Sequence, residues 1–439
     1  MDTADITLDH FREQFRLVSN QLSGHQLPWL QQQRRQALDT YTDMGLPGRK
    51  DEEWRYTRIR ELQQHSFKPV VTAGLVDTQQ IIRHQLSDAI VLVFIDGFFQ
   101  ANLSKLDDIP NNVVICNLAA AIEHHPELVE IWLDTTNSNS HGFSCLNTAF
   151  FNDGAFVHIP ADITITKPIQ LIFFGVTAGA MMTPRNLVIA EQNSGCHIAE
   201  IWTGTDNTHF CNAVTEVIAG EGAAIVIDNI QDESDHTYHI SSTFCQLAEN
   251  ANVTHQNFNF GGQLVRHDMQ TELSQSAVCN HSGLTLVNGS QHIDNHLRID
   301  HQQPDAVSRI NYKNIADDKS HAIFQGRIVV HNDAQNTDSD MSNKNLLLSE
   351  NAMIDTKPQL EIDADDVQCA HGVTVGALEQ SALFYLRSRG LDETTARNIL
   401  TFGFANELLE TINSAELKTM VLNKLLKRFP QASIRVDWL

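Results

Sequence analysis

Cys369 and His371 stand two residues apart in the segment Val367-Gln-Cys-Ala-His-Gly-Val-Thr-Val375. If that segment is extended, alternate side chains share a face, so a thiol and an imidazole project to the same side. The pair suits a soft or borderline metal such as zinc or iron, but two ligands need partners from elsewhere. The same residues read equally as the structural end of a strand. Histidine is abundant, 21 in total, and ten fall between His236 and His331. Stacked strands could gather several of these as metal ligands, while the plainer reading is a polar exterior built from histidine and asparagine. His292 and His296 have the i, i+4 spacing of a helical pair, yet Gln291–Ile299 has the pattern of a strand, which separates them. Asp232, Glu233 and Asp235 could supply the paired carboxylates of a carbohydrate lyase or glycosidase.

The usual catalytic signatures are missing. There is no Walker A lysine loop, no GxSxG, no HExxH and no GxGxxG, and Gly220-Glu-Gly222 reads as a turn. Any ATP used on this chain's behalf is therefore hydrolysed by another chain. Seven cysteines lie far apart with no CxxC pair, which fits reduced thiols in a cytoplasm. A net charge of −24 argues against nucleic acid and anionic membrane as partners. No segment has the length of a membrane span, and the first residues lack the apolar stretch of an export signal.

Three kinds of element must position these groups. Residues 1–88 read as a helical region, with Phe11, Phe15 and Val18 near helical spacing and Pro28 opening a second helix through Tyr41. The charged, aromatic stretch Lys50–Thr57 then reads as a surface segment that packs Trp54 and Tyr56. Residues 89–373 read as a long all-β region without a convincing helix, made of short apolar runs such as Ala223–Ile227 and Arg327–Val330. Asn193-Ser-Gly195, Gly220-Glu-Gly222 and Asn288-Gly289 supply residues tolerant of positive φ between them. Length without a linker favours one solenoid over two sandwiches, although no clean repeat is visible.

Residues 374–439 read as helical again. A stripe of Leu378, Ala382, Leu383 and Leu386 ends at Gly390. Asp392 is placed to cap a helix with the face Ala396, Ile399, Leu400, Gly403 and Phe404, and Ser414 to cap a third that Pro430 stops. The segment Phe402–Leu409 carries more apolar residues than a three-helix layer need bury, so Phe402, Phe404, Leu408 and Leu409 are candidates for a partner-binding surface.

Several segments in fixed order are diagnostic together. Gly326–Asp338, Asn345–Ser349, Lys357–Ile362, Cys369-Ala-His-Gly372 and Phe384–Gly390 resemble the SufB/SufD family, and Leu46–Thr57 resembles its opening motif. The resemblance implies a right-handed parallel β-helix between helical ends. It implies a scaffold in iron-sulfur cluster assembly with no turnover of its own, paired with SufB and carrying the ATPase SufC on the C-terminal helices. It also implies that His371, with Cys369 beside it, takes part in a transient iron-sulfur cluster shared with SufB, and that nothing is tightly bound to the isolated chain. A homodimer of the isolated chain is compatible with it. Within the family the resemblance falls on the SufD side. Where SufB has a sulfur-accepting cysteine before an Asp-Ser pair, this chain has Thr337 before Asp338-Ser339, and a hydroxyl holds no persulfide. Gly372 follows His371 where SufB has an acid, and Val373 stands where the family usually has alanine. The alternative outside this family is a β-helix carbohydrate-active enzyme.

Overall fold

A computed structural model describes residues 3–136 and 141–428. Its body is a β-solenoid of about 8 turns. From Gly195–Gly204 onward, successive strands alternate between two sheets, and each pairs in parallel with the strand two places on until the last two. Thus Phe210–Ala219 lies in one sheet, Ala224–Gln231 in the other, and Tyr238–Leu247 returns to the first with Tyr238 opposite Phe210. The step between rungs is not constant, since Tyr238 lies opposite Leu264 whereas His321 lies opposite Met353. That irregularity hides the repeat in the sequence.

The alternation of a strand sends every second residue into the solenoid, where stacked rungs form columns. Ile198, Ile227, His255, His281, Ile310, Met341 and His371 make one column, each the register partner of the next. The corners carry the turn chemistry expected of them. Asn193, Gly222 and Gly289 all adopt positive φ, as do Asn250, Asp305, Asp318 and Asn336. Short side chains also tie one corner to the next, for example the Asn336 amide donating to Asp305 at 3.0 Å.

The body is not free of helix, contrary to the expectation from sequence. Leu118–His124, Pro126–Trp132 and Gly142–Phe150 interrupt it before the regular rungs begin. Every residue of Gly142–Phe150 is buried, so it has no polar face to reveal its period. Its N-cap is His141, whose Nδ1 accepts from the Ser144 N–H at 3.3 Å, outside the Ser/Thr/Asp/Asn set that marks most helix starts.

The two helical ends cover the two outer sheet faces. Phe11, Phe15 and Tyr41, from helices Thr3–Val18 and Pro28–Met44, pack with Phe210, Ile240 and Leu264 of the first sheet. Lys50–Thr57 acts as a clasp on the same face. Trp54 is buried, stacks on Phe143 with centroids 5.3 Å apart and lies 3.9 Å under the Arg266 guanidinium. Arg266 also donates to the Glu53 carbonyl at 2.9 Å and pairs with Asp268 and Asp294. Tyr56 is only half-buried.

Against the other sheet lie helices Glu393–Leu409 and Ala415–Lys427, and Gln380–Ser388 packs on the first of these. The Asp392 carboxylate accepts from the Thr395 N–H at 2.9 Å, the Ser414 hydroxyl accepts from the Leu417 N–H at 3.3 Å, and Gly390 has φ +95°. These are the expected termini; Pro430 lies outside the described residues. The middle helix is rotated from its expected face. Phe402, Ala405, Leu408 and Leu409 are buried, whereas Gly403 is exposed and Phe404 half-buried. The sheet residues Phe258, Leu286, Ile315 and Leu346 select that face by packing on it. Among the described residues no helix is long and apolar enough to cross a membrane.

Candidate functional site

The solenoid ends on two bare edges. Val367–Ala377 pairs with Thr337–Leu347 on one side only, and Met353–Ile362 is likewise the last strand of its sheet. Val367 and Cys369 pack partly against the core, so both point inward. His371, two residues further, stands over Met341 in the inward column and is exposed because no rung lies above it. The strand expected for this segment is present, and its alternation puts the thiol and imidazole on one face.

Behind Cys369 runs a second inward column that the sequence did not reveal. Cys279, Ser308, Ser339 and Cys369 are successive register partners. The Ser308 and Ser339 hydroxyls lie 2.6 Å apart, and His301 Nε2 lies 2.9 Å from Ser308. Knowing the register from rung to rung would have been needed to see it. Burial raises the Cys369 thiol above its ordinary range, with the Asp338 carboxylate adding to the effect. The group is therefore a thiol at neutral pH until a cation displaces its proton. Thr337 lies in the same strand as Ser339 but opposite Val367, and its buried hydroxyl donates to the Ala334 carbonyl at 2.8 Å.

The apolar residues proposed from sequence as a partner surface are distributed differently. Phe402, Leu408 and Leu409 are 2%, 1% and 0% exposed, inside the packing between helix and sheet. Phe404 lies 4.8 Å from the Lys313 ammonium, which donates to the Phe404 carbonyl at 2.8 Å. Among the described residues of the C-terminal helices, the aromatic side chains open to solvent are Phe384 and Tyr385, 74% and 56% exposed on Gln380–Ser388. Both fall off that helix's stripe of Leu378, Ala382, Leu383 and Leu386, which was the available signal.

The histidines correct a second expectation. His239, His255, His267, His281 and His301 are buried inside the solenoid rather than spread over a polar exterior. Buried asparagines accompany them, including Asn257, Asn259 and Asn295, which bond one another across rungs. His292 and His296 do lie apart on one strand, His292–His301. The three acids considered for glycoside chemistry are engaged separately. Asp232 pairs with Lys424, Glu233 accepts from buried imidazoles, and Asp235 accepts from the Gln291 amide at 3.0 Å. They form no carboxylate pair across a groove.

Comparison with known proteins agrees with this architecture. Residues 173–404 match the SUF system FeS cluster assembly SufBD core domain, and residues 6–171 match the SufBD protein N-terminal region. An iron-sulfur cluster assembly SufBD family protein of Synechocystis is 34% identical over 413 residues, 90% of each chain. The iron-sulfur cluster assembly protein SufD of Escherichia coli is 31% identical over 415 residues, 92% of this chain and 93% of its own. SufD of Bacillus subtilis is 24% identical over 397 residues, 87% of this chain and 90% of its own.

Proposed function

Because the chain belongs to the SufBD family of iron-sulfur cluster assembly proteins and is SufD-like, we propose that it is a non-catalytic cytoplasmic scaffold that pairs with SufB and docks the ATPase SufC. In this reading the iron-sulfur cluster is cargo, formed transiently at the SufB/SufD interface with His371 as a ligand and Cys369 as its neighbour. The carrying observation is the uncovered last rung. A strand with unpaired N–H and C=O groups is a template for another chain. Here the edge also exposes apolar side chains, with Met353 54%, Ile362 40% and Val375 49% accessible. Pro358 in Met353–Ile362 is tolerated because edge strands need not donate from every residue, and it favours Val367–Ala377 as the strand that is extended. An imidazole at that edge can ligate iron, whose remaining positions a partner's ligands can complete.

For SufC, the exposed Phe384 and Tyr385 offer an aromatic patch on the C-terminal layer, with Phe404 beside the packed helix face. Phe402, Leu408 and Leu409 support that layer from beneath. The missing phosphate loop supports a scaffold that leaves ATP hydrolysis to its partner.

Affinity purification of the tagged chain from cells tests the reading. It should recover both a SufB-type subunit and the ATPase, and the chain alone should turn over no ATP. Recovery of the chain by itself, or ATP turnover that survives removal of contaminating ATPases, would overturn it. A homodimer of the isolated chain that gives way to the heterodimer when SufB is added is consistent with one shared edge.

A further inference from the structure

Inside the solenoid, away from its open end, Cys211, Glu233 and His239 bring together a thiol, a carboxylate and an imidazole. Their ligand atoms lie within 4.8 Å of one another, and all three residues are buried. Cys211 and His239 are register partners on the neighbouring strands Phe210–Ala219 and Tyr238–Leu247. Glu233 comes from the corner that precedes the second of these strands.

Hydrogen bonds hold the carboxylate against the imidazoles. Glu233 faces His239 Nδ1 at 2.6 Å, His209 Nε2 at 3.3 Å and the Gln231 amide at 3.1 Å. The carboxylate thus occupies the Nδ1 side of the His239 ring and leaves Nε2 facing away from it. His239 is 0% exposed, and its Nε2 has no hydrogen-bond partner. A buried polar nitrogen without a partner is costly and calls for an occupant. Glu233 also lines a cleft of about 410 Å³ between the solenoid corners and helix Ala415–Lys427, bordered by Thr203, Asp206, Asp232 and Lys424. The cleft gives the buried group a route to solvent.

We propose that Cys211, Glu233 and His239 form a binding site for a borderline divalent transition cation of the zinc or ferrous class. Thiolate and imidazole select such ions over magnesium or calcium. One carboxylate and one thiolate also balance the charge of a divalent ion, so the loaded site carries no net charge into the interior. Binding replaces the Cys211 S–H bond by a sulfur–metal bond and releases that proton to water, with no change of oxidation state. The site is independent of the cluster chemistry assigned to His371, and either can fail alone.

The test uses the full chain, stripped with a chelator and titrated anaerobically with Co(II). A parallel sample is refolded with Co(II) present, so that slow entry does not hide binding. One ion per chain should bind with a thiolate-to-cobalt charge-transfer band. The band should survive Cys369→Ser, vanish in Cys211→Ser, and need roughly tenfold or more Co(II) in His239→Gln. Circular dichroism establishes that each variant is folded; if Cys211→Ser is not, Cys211→Ala and His239→Gln read the same site. No band under either loading procedure, or a band that survives removal of the Cys211 thiol, overturns the proposal.

Discussion

His371 has a backbone fixed in the last ladder and a side chain with nothing above it. That combination separates its chemical use from its structural use. A buried core residue cannot be truncated without a cavity, but an exposed imidazole can be removed with a stability change within about 1 kcal/mol. We predict that His371→Ala and His371→Gln both leave the complex assembled and both lower cluster output in cells. Glutamine retains volume and hydrogen bonding while ligating weakly, so its failure to rescue identifies ligation. Cys369→Ser should have the weaker effect, because its thiol is partly buried and held protonated. Normal output from both His371 variants at normal expression would remove the residue from the mechanism. Trp54, equally prominent in sequence, has the opposite character: buried against Phe143 and Arg266, it holds the N-terminal clasp on the sheet.

Among the elements, helix Glu393–Leu409 and helix Gln380–Ser388 divide packing from exposure. Phe402 is buried on the outer face of the sheet, so Phe402→Ala should cost about 3–5 kcal/mol and lower the melting temperature. Phe384→Ala combined with Tyr385→Ala touches open side chains and should leave melting unchanged while weakening SufC binding roughly tenfold or more. Unimpaired SufC binding by the double variant would move the docking site elsewhere. Removing everything from residue 391 is a poorer test, since it uncovers Leu286, Ile315 and Leu346 as well. Local rules made the ends of these helices legible: Asp392 and Ser414 cap as read, because capping is decided within three residues. The buried face was not legible, because Ile399, Leu400 and Phe404 on one side and Phe402, Leu408 and Leu409 on another are both apolar, and only the sheet chooses between them. Corner residues such as Asn193 and Gly289 were readable for the same local reason. Membership of an inward column was not, because it depends on rung lengths that vary. Thus Cys369 and His371 were found as a pair on one strand, while Ser308, Ser339 and the interior histidines behind them were not.

At the scale of the whole molecule, the polar interior makes stability depend steeply on pH. Burial pushes His281 and His301 down to about 4 and His267 to about 3, and holds His255 well below its ordinary 6.5. Near neutral pH these imidazoles are uncharged folded or unfolded and contribute no pH dependence. As pH falls below 6.5 the unfolded chain binds protons that the folded chain refuses, so stability is lost progressively towards pH 4. A shift of this size costs on the order of 3 kcal/mol per group by pH 4, and several together rival the 5–15 kcal/mol that a domain possesses. Glu200 acts in the opposite direction. Burial raises its carboxyl from 4.5 to about 7, so the folded chain keeps a proton that the unfolded chain loses, and stability falls as pH rises between those values. The four histidines outweigh the one carboxyl, so unfolding takes up protons near pH 5.5. We therefore predict a melting temperature that is highest near neutrality and drops steeply below about pH 6. Glu200→Gln should stabilise the protein by about 3 kcal/mol above pH 7 and leave the acid limb in place, because the histidines that produce it are untouched. Melting measured from pH 4 to 8 on both proteins decides the matter: a flat profile between pH 7 and 5 would mean that the interior imidazoles are solvated in the folded chain.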